Sequence, residues 1–291
     1  MIDWLLEPLR HEFNQRALLA ALMIGLTNGY ASAFVVLKKS ALKVGSLSHA
    51  LLPGIAVAIL VAGFQDWSVF LGALFAALLI GLGSLAVSRG SRIDQDSALA
   101  ILYTAAFSGG IILLRRLQVA QEMDEWLFGN IMGMRDADLW TNFWISLGAL
   151  GLLTALHRPL LMSLFDAEVA ATLGVPVRFL NYLLLAILIV VLISSLQAVG
   201  CMLALGLLVT PAATIYLLTD STNTLFWGGS LLGGISAASA VFIGWWLNLE
   251  QGPTIVLLLG AIFLLAFVFS PKYGLIRHLV SKPTNSTTNI Q

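Results

Sequence analysis

The sequence predicts an all-α protein that crosses a membrane several times, and three observations carry that prediction. Hydrophobic residues fill 59% of the 291 positions and charged residues only 10%, against roughly 25% charge in an average soluble domain. The charges gather in the joints between nine long apolar runs rather than at their centres. The longest hydrophilic stretches, around 115–137 and 157–178, are too short to fold as a soluble domain. In lipid every backbone N–H and C=O must be satisfied internally, and helices do this within one segment. The same composition excludes disorder. Lys+Arg and Asp+Glu number 15 each, which leaves no basic footprint for nucleic acid. One cysteine excludes a disulfide framework and any CxxC metal site.

Taken in order, residues 1–16 (MIDWLLEPLRHEFNQR) read as a short interfacial segment, with Trp4, Leu5 and Leu6 available to touch lipid. Ala31-Ser32-Ala33 resembles a signal-peptide cleavage site, but the apolar run continues to Lys38-Lys39, as a retained helix would. The membrane unit covers 17–274, and 275–291 forms a cytoplasmic tail ending in the polar PTNSTTNIQ. Its apolar runs are 17–37, 47–64, 69–88, 98–114, 138–156, 179–198, 201–218, 225–247 and 254–270. A spanning helix needs about 20 apolar residues, with a range of about 17–25. The second, fourth, seventh and ninth runs are at the short end, so eight or nine spans are expected, some short or broken. With nine, one side holds ten cations (Lys38, Lys39, Lys43, Arg89, Arg92, Arg158, Arg178, Lys272, Arg277 and Lys282). The other holds five: Arg10, Arg16, Arg115, Arg116 and Arg135. The positive-inside rule places the first set, and the C-terminus, in the cytoplasm.

Several stretches carry more information. Ser46-Leu47-Ser48-His49-Ala50-Leu51-Leu52-Pro53-Gly54 puts an imidazole early in an apolar run, with a proline one turn later. Pro53 predicts a kink or break, and broken helices line cavities rather than face lipid. An imidazole there needs a partner or a function; Ser46 or Ser48 could equally satisfy it. Asp94-Gln95-Asp96 places acids where a helix opens, as the dipole favours. Leu127–Gly133 is short, apolar and glycine-broken, which suits a re-entrant piece. Phe165–Pro176 (FDAEVAATLGVP) encodes a short helix capped by Asp166 and ended by Gly174. It serves either as a docking knob or as an amphipathic connector on the bilayer. In Val199–Thr214 (VGCMLALGLLVTPAAT), small residues allow close helix approach and Pro211 predicts a second break. Cys201 and Met202 are soft ligands in principle, although such residues more often pack. No GxxxxGK[ST], HExxH or GxSxG occurs, so the chain has no ATP site or hydrolase motif of its own.

In order, SLSHALLPG (46–54), DQDSALAIL (94–102), WLFGNIMGM (126–134), FDAEVAATLGV (165–175), VGCMLALGLLVTPAAT (199–214) and QGPTIVLLLGAIFLLAFVFSPKYG (251–274) resemble the permease subunit of zinc/manganese/iron-type ABC importers. The resemblance covers nearly the whole chain and implies an ABC importer permease bundle. It implies a second permease copy or paralogue, a separate ATPase subunit, an extracytoplasmic metal-binding protein and surrounding lipid as partners. No cofactor is implied for this chain: ATP acts on the partner, and a metal ion is cargo. FDAEVAATLG matches the coupling helix, which makes Asp166, Glu168, Ala171 and Gly174 the docking candidates. SHALLPG matches the pathway helix, which assigns Ser46, Ser48, His49, Pro53 and, by the second break, Pro211 to the pathway. The family pattern carries an acid four residues before the histidine, where this chain has Gly45, so His49 stands as a metal ligand without its carboxylate. The alternatives are a permease for a metal chelate or other small solute, or a secondary transporter. A secondary transporter commonly uses acids buried in its spans, and no run here has one at its centre.

Overall fold

The structure is a computed structural model that describes residues 7–63, 65–116 and 129–270. Among these residues it consists of helices joined by short turns. The helices are α1 (Glu12–Leu37), α2 (Ala41–Ala62), α3 (Asp66–Gly90), α4 (Gln95–Arg116), α5 (Asp136–Ala155), α6 (His157–Phe165), α7 (Ala167–Thr172), α8 (Val177–Val199), α9 (Cys201–Tyr216), α10 (Thr222–Leu247) and α11 (Gln251–Phe269).

Seven helices, α1–α4, α8, α10 and α11, are long and apolar enough to cross a membrane. An eighth arises if α5 and α6, bent by 62° where they meet, form one span. The seventh apolar run becomes the 16-residue α9, which is too short to qualify. The second, fourth and ninth runs are longer in the structure than their apolar cores, because the helices start before the apolar residues do and, for the fourth, also continue past them to Arg116. At the N-terminus, residues 1–6 lie outside the described set, Glu7–Arg10 is a 3-10 turn, and α1 begins at Glu12. Residues 12–16 thus belong to the first spanning helix rather than to the interfacial segment. Ala31, Ser32 and Ala33 are fully buried in that helix. Of the expected re-entrant piece, 127 and 128 lie outside the described set, and Ile131–Gly133 is a single 3-10 turn capped by Asn130. The tail from 271 onward also lies outside it.

Polar contacts at the two ends show how the helices alternate in direction. At the basic end, Lys43 pairs with Asp96 at 3.1 Å, joining the start of α2 to the start of α4. Lys38 donates to Asn181 at 2.9 Å, joining the end of α1 to the start of α8. Ser270 donates to the Leu217 carbonyl at 2.6 Å, so the ends of α9 and α11 meet there too. At the opposite end Arg16 pairs with Asp136 at 2.8 Å, joining the starts of α1 and α5. The α6–α7 segment, between the end of α5 and the start of α8, therefore sits at the basic end. A single residue, Gly200 at φ +81°, reverses the chain between α8 and α9, a backbone conformation glycine adopts without a Cβ clash.

Within lipid, apolar side chains gain nothing by leaving water, so packing has to come from close contact. The most extensive contact is between α1 and α10. A Cβ built at Gly29 would lie 2.2 Å from the Gly229 carbonyl oxygen, and one at Gly25 would lie 2.5 Å from that of Gly233. Only glycine lets these backbones touch. Around this pair sits a core that includes Tyr30, Phe34, Leu52, Leu153, Leu184 and Phe226. A smaller cluster of Ala17, Ala21, Ile24, Leu207 and Ile255 lies beside it.

Candidate functional site

The six-residue α7 is too short to be stable by propensity, so its two caps decide whether it forms. At its start the Asp166 carboxylate accepts from the N–H groups of Glu168 (3.1 Å) and Val169 (2.9 Å). At its end Gly174 takes φ +80°, its N–H donates to the Ala171 carbonyl at 3.1 Å, and the Val175 N–H donates to the Ala170 carbonyl at 3.0 Å. This is the double closure in which a left-handed residue satisfies two orphan carbonyls. Ala170 is fully buried and seats the helix, while Glu168, Ala171 and Gly174 are exposed. Phe165, Val169 and Leu173, which are 69%, 50% and 64% exposed, give the knob an apolar outer face. All four residues expected to dock, Asp166, Glu168, Ala171 and Gly174, therefore fall on one small projection.

The knob is anchored through the first residue of the hydrophilic stretch 157–178. His157 opens α6 at the 62° bend, and its Nδ1 lies 3.0 Å from the Tyr30 hydroxyl. Its ring meets Phe226 edge-on at 4.6 Å and Phe34 at 6.3 Å. A charged-class residue between Leu156 and Arg158 reads as solvated from sequence; here it ties α6 to both α1 and α10.

On α2, the His49 ring faces α4, 5.5 Å from Phe107 and 6.0 Å from Tyr103. Its Nδ1 is buried with no hydrogen-bond partner among the described residues. Gly45, one turn earlier, is buried against α9: a Cβ there would meet Leu205 Cδ2 at 2.9 Å, the far end of a flexible side chain. Ser46 is half-buried on the same helix, and the Ser48 side chain lies outside the described set. Among the described residues, no group of three His, Cys, Asp or Glu side chains converges as a metal site.

Neither proline breaks its helix. Pro53 lies inside α2, which runs on to Ala62. A Cβ at Gly110 of α4 would lie 2.8 Å from Pro53 Cα, so glycine lets α4 pack directly on the proline. Pro211 lies inside α9, where the ring disturbs the hydrogen bonds of the preceding turn. There the Ala212 N–H donates instead to the buried Ser32 hydroxyl of α1 at 3.1 Å, and Ser32 itself donates to the Gly29 carbonyl at 2.7 Å. The expected break at Pro211 is thus bridged by a neighbouring helix, and Ser32 is a supporting residue that the sequence alone did not single out.

Comparison with known proteins places this architecture. Residues 10–270 match the family described as "ABC 3 transport family". The "Manganese transport system membrane protein MntC" of Halalkalibacterium halodurans is 37% identical over 270 residues, covering 92% of this chain and 91% of that protein. A "Probable iron transport system membrane protein" of Haemophilus influenzae is 33% identical over 276 residues, covering 95% of this chain and 96% of that one. Among solved structures, "PsaBC from Streptococcus pneumoniae in complex with Fab" superposes with a TM-score of 0.86 at 31% identity, covering 96% of this chain and 100% of that one. The helical bundle, its apolar spans and these bacterial relatives make it a multi-pass protein of the bacterial inner membrane. The chain belongs to the ABC 3 transport family, as a membrane permease.

Proposed function

We propose that this chain is the translocation subunit of an ATP-driven importer of a divalent transition metal ion: zinc, manganese or iron. The names of its relatives favour manganese or iron. The observation that carries the reading is the doubly capped α7 at the basic end, with its exposed apolar face. A separate ATPase subunit grips Asp166, Glu168, Ala171 and Gly174, and ATP binding moves the knob. Because His157 ties α6 to Tyr30 and Phe226, that motion reaches the α1–α10 pair at the centre of the bundle. The permease contributes different contacts in two states, and no chemistry of its own.

Cargo arrives from an extracytoplasmic metal-binding protein at the end opposite the knob. The lone imidazole of His49, with Gly45 in place of an acid, is a weak site for a bare dication in one chain. A second permease copy or a paralogue therefore completes the pathway, or the ion passes without being held at α2. A chelated metal is the second reading, favoured by that missing carboxylate. Metal uptake into proteoliposomes holding the permease, its ATPase and ATP tests the proposal. Uptake that requires ATP hydrolysis supports it; uptake driven by an ion gradient without the ATPase refutes it.

A further inference from the structure

The geometry points to a lipid-binding site in a cleft of about 1190 Å³ between α3 and α5, with α8 as its floor; we propose that it holds one zwitterionic glycerophospholipid. The cleft lies at the end of the bundle opposite the knob, where Arg16 meets Asp136. Its polarity is graded. Gln65, Asn130 and Arg135 are exposed at the mouth, and Ala73, Ile193 and Leu196 are buried in the walls. An amphiphile entering from the interface has the same gradient.

Three further observations identify the occupant. Trp67 at the mouth is exposed, as is Trp140 near the start of α5. Exposed indoles at a helix end mark the lipid headgroup level, so this side of the bundle faces the bilayer. Asn142 lines the cleft and is only 1% exposed; its carbonyl oxygen accepts from Ser194, yet its Nδ2 has no partner among the described residues. A buried amide donor left unmade is costly, and a ligand acceptor would relieve it. Asn142 lies six residues into α5, about 9 Å below the helix start at 1.5 Å per residue, a depth that suits an acyl ester carbonyl rather than a phosphate. At the mouth Arg135 pairs with Asp138 at 3.3 Å. That pair is neutral overall and offers both signs, which suits a headgroup carrying both. A metal ion does not fit, since the one acid in the lining, Asp138, is already paired.

The test is native mass spectrometry of the permease purified in mild detergent from nanodiscs of equal phosphatidylethanolamine and phosphatidylglycerol. The unvaried chain is expected to retain one phosphatidylethanolamine per chain. Asn142→Leu, which removes the donor, should cut retention about fivefold, the worth of one hydrogen bond. Ile193→Trp, which fills the floor, should abolish it; both variants are scored only in monodisperse, cooperatively melting preparations. Retention of detergent alone, a preference for phosphatidylglycerol, or no lipid on the unvaried chain would each overturn the proposal. Unchanged retention in either folded variant would do the same. None of these readouts depends on transport, so they stand or fall apart from the importer reading.

Discussion

Replacing Asp166 by Ala and Gly174 by Val together should melt the α7 knob and leave the bundle intact. Asp166 supplies two hydrogen bonds to the first turn of a six-residue helix, and losing such a cap costs about 1 kcal/mol. Gly174 sits at φ +80°, where a side chain costs about 1–2 kcal/mol, and no atom lies within 4 Å of a Cβ built there. The penalty is thus one of backbone conformation and not of a clash, and the two sites together amount to about 2–3 kcal/mol. At 1.4 kcal/mol per tenfold, the open population of the knob rises by about a hundredfold. Hydrogen–deuterium exchange across 166–175 in nanodiscs reads this directly. Amides at Ala170 and Val175 should lose protection, while those of α1 and α10 should keep it. With the ATPase present, hydrolysis should continue and metal uptake should fall. Unchanged protection in the knob, or normal uptake after the knob has melted, would refute the reasoning.

Three other outcomes follow from the geometry. Ser32→Ala strands the Ala212 N–H beside Pro211, which should cost about 1–3 kcal/mol and lower the thermal midpoint, whereas Ser32→Thr keeps the hydroxyl and should recover most of it. A Cβ at Gly45 meets the flexible end of Leu205, and Gly45→Asp restores an acid one turn before His49, so equilibrium binding of Mn²⁺ should rise, while His49→Ala should lower uptake without a matching loss of stability. Burial, and then the charge of Lys43, hold the Lys38 ammonium below the usual 10.5, so the unfolded chain binds more protons; stability should climb as pH rises from the lowered folded value toward 10.5, which denaturant titrations in micelles can follow.

Hydropathy and the distribution of charge were enough to read the helices, because lipid leaves so few alternatives for a backbone. The α7 knob was legible almost to the residue, since Asp166 and Gly174 act locally and their types announce the caps. Pro211 was misread as a break, because the group that supports its turn lies elsewhere in the chain: Ser32 is 180 residues from Ala212. Pro53, read as a kink or break, lies in a helix that runs on to Ala62. His157 was illegible for the same reason, as nothing near it in sequence announces Tyr30 or Phe226. The Gly25–Gly233 and Gly29–Gly229 contacts were half legible. The glycine pairs at 228–229 and 233–234 are visible in the sequence, but nothing beside them names the helix they receive.

On the proposed function, this bundle moves a metal ion only when another protein's ATP cycle drives its knob. The direct measurement is ⁵⁴Mn²⁺ uptake in proteoliposomes, with the ATPase and ATP supplied or withheld. Accumulation is expected only when both are present, and it should fall with the Asp166→Ala/Gly174→Val permease. Accumulation by the permease alone down an ion gradient, or equal accumulation by the double variant, would contradict it.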